Sequence, residues 1–216
     1  MLFEFLGHAD YFFLAGAALW GLFNLHLVWT LVGRLRFKNE AAQDAFLDSI
    51  APDLERGDYA AVQAKCEGDR RAIPMLVDIA MQNADMEPQA LHDLVSDRFQ
   101  YDAIAQIDAS TAWVSTIIKL APMLGLIGTV AGMMGAFQTL EEATTSEPTK
   151  QLLRDIRIAL DHTLIGLLIT VSLLVAMGVV NNRIKDMEEL AGFGLNRFFQ
   201  MFEASRQGEY RETARR

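Results

Sequence analysis

Three threonines carry the most chemical meaning in this sequence, because each lies in an apolar surrounding where a hydroxyl has little water to turn to. Thr163, Gly166 and Thr170 fall three and four residues apart, which on a helix makes one narrow polar face among Leu, Ile and Val. Ala121, Gly125 and Thr129 recur at four-residue spacing, and Gly128, Gly132 and Ala136 form a second stripe beside them. Small residues in such stripes let helices approach to backbone distance, so this helix is expected between protein neighbours rather than facing lipid. The hydroxyls admit two readings. A threonine can bond back to its own helix; assembled in a ring, such helices can also line a path whose hydroxyls solvate an ion or position water.

Ionisable groups at depth would sharpen the choice, since a proton path normally needs one. No carboxylate is expected near the middle of any span. The candidates for a relay are Asp161, His162 and His26. Arg157 lies one turn before Asp161, as in an interfacial ion pair, and Asp161 points well away from Thr163 on a helical projection. His162 can titrate near neutral pH or serve as a hydrogen-bonding anchor. His26 and Asn24 sit well inside the first apolar run, where interhelical hydrogen bonding competes with proton carriage. Pro122 removes a backbone donor and is expected to bend its helix, while Lys119 can snorkel to the surface. No nucleophile, base and orienter can be named together, and HExxH, GxGxxG and Walker patterns are missing, so the sequence argues against an enzyme. Cys66 is the sole cysteine and reads as a packed side chain; no metal or cofactor is expected.

Three elements must hold these residues. Tyr11 to Gly33, Leu120 to Leu140 and Thr163 to Asn182 are uncharged runs long enough to cross a hydrocarbon core of roughly 30 Å as helices. Arg34, Arg36 and Lys38 follow the first run and no basic stretch precedes it, so it reads as a retained anchor with a cytoplasmic C-terminal end. Alternation then gives an extracytoplasmic N-terminus over 1–10, transmembrane helices over 11–33, 112–140 and 155–182, a cytoplasmic helical domain over 34–111, an extracytoplasmic loop over 141–154, and a cytoplasmic helical tail over 183–216. The fold class is an all-α integral membrane protein whose second and third spanning helices extend into the cytoplasmic domain.

The 34–108 stretch carries 8 Lys/Arg against 15 Asp/Glu, within a formal net charge of -9, and is a water-facing segment unsuited to nucleic acid. Amphipathic helices are expected around 40–50, 53–67 and 73–83, punctuated by Pro52, Gly57, Gly68 and Pro74. From Pro88 onward one long helix runs into the second span, and the tail continues the third helix with Gly192 and Gly194 as weak points.

The stretch from Ala121 to Phe137, APMLGLIGTVAGMMGAF, resembles the signature of the MotA/TolQ/ExbB proton-channel family, with Pro122, Gly125, Gly128, Thr129 and Gly132 at the family's spacing. Ala159-Leu160, Thr163 and Gly166-Leu167 are similar to the third-helix pattern, GDYAAVQAKCE to a helix of the inner domain, and the three-span order to ExbB and TolQ more than to four-span MotA. The resemblance implies a homo-oligomer, a pentamer in this family, around two single-span ExbD/TolR-like partners in the bacterial inner membrane. A membrane aspartate on the partner would carry protons past Thr129 and Thr163, and the proton flow would drive rotation of one component against the other. Many ExbB and TolQ proteins have glutamate five residues before the third-helix threonine, where this chain has Ile158. The implied function is a channel-forming stator subunit of an ion-motive-force-driven motor; the alternative is a noncatalytic membrane scaffold ring that binds cargo.

Overall fold

A computed structural model describes the backbone of residues 2–141 and 148–213, and the side chains of residues 10–206 except those at 139, 142–148 and 151. The inner part of the expected loop 141–154, with Glu142 and Glu147, lies outside the described residues, as do Glu4, Arg215 and Arg216 at the level of side chains. Every described element is helical: α1 (Leu2–Leu35), α2 (Glu40–Glu55), α3 (Tyr59–Cys66), α4 (Ala72–Gln82), α5 (Pro88–Arg98), α6 (Ala105–Glu141) and α7 (Pro148–Thr213), with a π-helical stretch, Phe99–Ile104, joining α5 to α6 without a break. Helices long and apolar enough to cross a membrane cover Asp10–Leu35, Pro88–Gln138 and Leu152–Arg206. The protein is an all-α, multi-pass membrane protein.

The chain forms two compact units. The first comprises residues 1–28 and 109–180. Its core is three facing stripes: Leu14, Gly21, Leu25 and Val28 on α1; Val114, Ile117, Ala121, Gly125 and Gly128 on α6; and Ala159, His162, Gly166 and Leu173 on α7. Spacings of three, four and seven residues put each set on one helical face. The opposite faces expose large apolar side chains, among them Phe12, Phe13, Met123, Ile127, Leu164, Leu168 and Val171. So much outward apolar surface suits a bilayer or further membrane-embedded protein, not water.

The second unit comprises residues 29–108 and 181–216. Leu47, Ile50 and Leu54 of α2, Val62 and Cys66 of α3, Ile73, Leu76 and Val77 of α4, Leu91 and Val95 of α5, and Phe198 and Phe202 of α7 make its core. Asn39 caps α2 by accepting from the Ala42 amide at 3.0 Å, and Asp58 caps α3 by accepting from the Ala61 amide at 3.0 Å. Gly57 (φ 67°) and Gly68 (φ 81°) take left-handed turns after α2 and α3.

Two local expectations change. Pro52 does not end a helix: α2 runs through it to Glu55, because it lies on an exposed face near the helix end, where one missing ladder bond leaves a carbonyl that water can reach. Gly192 and Gly194 do not interrupt α7. Gly194 serves packing instead. A Cβ there would lie 2.5 Å from Gln43 Nε2, and that amide donates to the Leu190 carbonyl at 2.7 Å, tying α2 to α7.

Candidate functional site

Helices α6 and α7 run antiparallel and close enough that backbone meets backbone. A Cβ on Gly166 would lie 2.5 Å from the Ala121 carbonyl oxygen, one on Gly125 2.7 Å from the His162 carbonyl oxygen, and one on Gly132 2.7 Å from Ala159 Cβ. The two small-residue stripes of α6 therefore form a seam that only glycine permits. The threonines fall along the same seam. Thr170 Oγ1 lies 3.3 Å from the Ile118 carbonyl and 3.0 Å from that of Gly166. Thr163 Oγ1 donates to the Gly125 carbonyl at 3.1 Å, and Thr129 Oγ1 lies 3.0 Å from both the Gly125 and the Ala159 carbonyls. The Thr129 and Thr163 hydroxyls also contact each other.

Each hydroxyl has a single proton, so these two protons serve more acceptors than they can satisfy at once. The pair is a short chain of hydroxyls that can reorient, held at the α6–α7 crossing. Thr129 is 8% exposed, whereas Thr163 and Thr170 are only half-buried. Within one chain, then, Thr163 and Thr170 reach the surface and Thr129 supports Thr163 from inside the seam. Thr129 and Thr170 each also reach the carbonyl four residues back on their own helix, as the back-bonding reading expects.

A model of the MotA/TolQ/ExbB proton channel family matches residues 70–191. The chain belongs to this family. Among curated proteins, none matches it. Membership accounts for a channel subunit rather than a member of an enzyme family, and the matched stretch contains the whole glycine seam and all three threonines. Helix α1 lies outside it.

The ionisable residues of this MotA/TolQ/ExbB channel subunit sit differently from the expectation. His26 is exposed on α1, and Asn24 donates from Nδ2 to the Trp20 carbonyl of its own helix at 2.8 Å, so neither forms the interhelical bond considered above. No ion pair joins Arg157 to Asp161; Asp161 instead lies near enough to Tyr11 of α1 to act on it electrostatically. His162 is the one candidate drawn into the site. It is 1% exposed, with Nδ1 2.8 Å from the Ile158 carbonyl and its ring 4.1 Å from that of Tyr11. A carbonyl can only accept, so Nδ1 carries a proton and the ring is held by its own helix.

The residue that sequence reasoning missed is Asp10. Within the 1–10 stretch expected at the extracytoplasmic start, it is 6% exposed, inside helix α1 and against Gly128 and His162. The register explains the miss. Gly125 faces His162 and Thr163, and Gly128 faces Asp10, so the charged ends of the α1 and α7 runs lie beside the middle of the uncharged Leu120–Leu140 run of α6. A carboxylate does lie level with the middle of one span.

Proposed function

We propose that this chain is the channel-forming stator subunit of an ion-motive-force-driven energy transducer of the ExbB/TolQ type. Several copies, a pentamer by family likeness, surround an ExbD/TolR-like single-span partner in the bacterial inner membrane, with the chain's N-terminus extracytoplasmic and C-terminus cytoplasmic. The partner supplies the membrane aspartate. Protons are the transported ion, and they pass where Thr163 and Thr170 reach the surface while Thr129 holds Thr163 in place. The observation that carries this reading is the Thr129–Thr163 hydroxyl contact at a helix crossing held close by Gly125, Gly132 and Gly166, inside a family of proton channels. Hydroxyls with more acceptors than protons can pass a hydrogen bond along without charging the membrane interior.

The test is replacement of Thr129 and Thr163 by valine, singly and together, in the full assembly. Valine keeps the shape and removes the hydroxyl. An interhelical hydrogen bond in a membrane is worth about 0.6 kcal/mol on average, so assembly should survive. Proton flux and the work that depends on it should be lost. A scaffold ring would tolerate the double variant, and full flux through it would refute the proposal.

A further inference from the structure

We infer that Asp10 of α1 and His162 of α7 form a proton-binding site within this chain, beside the threonine pair. The assignment of a proton rather than a purely structural contact rests on the channel reading above; the geometry does not. Gly128 is a notch in α6. A Cβ there would collide with Asp10 Oδ2 and would lie 2.9 Å from both His162 Cβ and Cδ2, so carboxylate and imidazole enter the same glycine-made space from two different helices. Asp10 Oδ2 is fully buried and has no hydrogen-bond partner among the described residues. The neighbours complete the layer: Thr129 follows Gly128 in α6, and Thr163 follows His162 in α7.

Among the described residues, α1 brings Asp10 to this space with Tyr11 beside it, α7 brings His162 with Asp161 near Tyr11, and the α6 face carries Gly125, Gly128, Thr129 and Gly132. A carboxylate oxygen buried without a donor is costly, and the remedies are a proton of its own or a cation beside it. This pair supplies both. With one mobile proton it is either a carboxylic acid next to neutral imidazole or a carboxylate next to imidazolium, the proton residing on an Asp10 oxygen or on His162 Nε2. Both forms have the same net charge, so moving the proton between them adds none to the interior. Any titration belongs to the pair rather than to either residue.

The measurement uses the full chain in its purified membrane assembly. Infrared spectra recorded against pH report the carboxylic-acid carbonyl band directly, with no flux required. The wild type should show a band that titrates; Asp10→Asn should lose it, Asp10→Glu should shift it, and the Thr129→Val/Thr163→Val double variant should keep it. In liposomes with an imposed pH gradient and an internal pH dye, Asp10→Asn should slow proton entry by about tenfold or more, and Asp10→Glu should restore most of it with a displaced pH midpoint. A titrating band unchanged in both Asp10 variants overturns the proton-binding site, whatever the threonine variants do. Wild-type flux and pH profile in Asp10→Asn, with flux lost in the threonine variants, overturns its part in conduction and leaves the channel reading standing. Normal flux in the threonine variants instead defeats the channel reading, and the band still decides whether Asp10 binds a proton. If Asp10→Asn does not assemble, the band shift in Asp10→Glu decides alone.

Discussion

Replacing Gly166 by alanine tests the glycine seam most severely, because the obstacle is backbone. The new Cβ would lie 2.5 Å from the Ala121 carbonyl oxygen and 3.3 Å from its carbon. Reaching the ordinary contact distance of 3.4 Å requires α6 and α7 to separate by about 0.9 Å there. Neither atom belongs to a side chain that can rotate aside. A displacement of that size takes the Thr170–Ile118, Thr163–Gly125 and Thr129–Ala159 bonds, now 3.3, 3.1 and 3.0 Å, out of hydrogen-bonding range. Overpacking of this kind costs about 1–3 kcal/mol, and the three cross-helix bonds add about 0.6 kcal/mol each. Alanine's better helix propensity returns about 1 kcal/mol at most, so the net loss should be about 2–4 kcal/mol. Gly192, on the same helix, is the control. A Cβ there meets nothing within 4 Å, so Gly192→Ala should be neutral or stabilising by up to about 1 kcal/mol. Unfolding in detergent can be followed by tryptophan emission, since Trp20 and Trp113 pack edge to face at 6.2 Å in the same unit as the seam. Equal stability of Gly166→Ala and wild type, or an equal loss in Gly192→Ala, would refute the close-approach argument.

Two predictions concern the second unit. Burial, assisted by Asp78 and Asp69, pushes the Cys66 thiol up to about 12. At pH 8 the folded protein should therefore react with a maleimide about a thousandfold more slowly than the unfolded chain, and mass spectrometry across an unfolding titration would show it. A folded value above the unfolded one means stability is fully present below about pH 8.5 and falls above it at up to about 1.4 kcal/mol per pH unit until about pH 12; Cys66→Ala should remove that alkaline slope. Asp69 behaves oppositely: its hydrogen bonds from Arg71, whose guanidinium also lies 3.8 Å over the Phe37 ring, hold its carboxyl below the usual range. Its contribution is present above about pH 3.9 and is lost as pH falls through the depressed value. Because the Arg71 side chain is 38% exposed, Asp69→Asn should cost at most about 1 kcal/mol at pH 7, a gap that closes on acidification in denaturant titrations.

Much of the fold was legible because the physics was local. Uncharged runs named three spanning helices, and the small-residue spacing of α6 named the face that packs on α7. The amphipathic stretches of the 34–108 segment located α2 to α4, although Pro52 misled because its position relative to the helix end and to solvent is not local information. Gly194 misled for the same reason: a glycine in a helix reads as weakness until the Gln43 side chain that needs its missing Cβ is known.

The candidate site was legible only where one helix carried the whole signal. Thr163, Gly166 and Thr170 announce a face by spacing alone, and so do Gly125 and Thr129. Asp10 does not, because a scan for uncharged runs begins just after the charge and assigns the charge to water. That assignment assumes that the ends of neighbouring helices are level. They are staggered here: the run on α6 extends past the starts of the runs on α1 and α7, and its Gly128 receives the side chains that stand at those starts. A boundary charge is exposed when helix ends align and buried when a neighbour overshoots. The overshoot is itself encoded, since Gly125 and Gly128 are the positions on α6 at which the chain has no side chain of its own to fill the space. A notch in the middle of one apolar run, next to a hydroxyl, and charged residues at the ends of the other two are thus parts of one arrangement. No single run displays it.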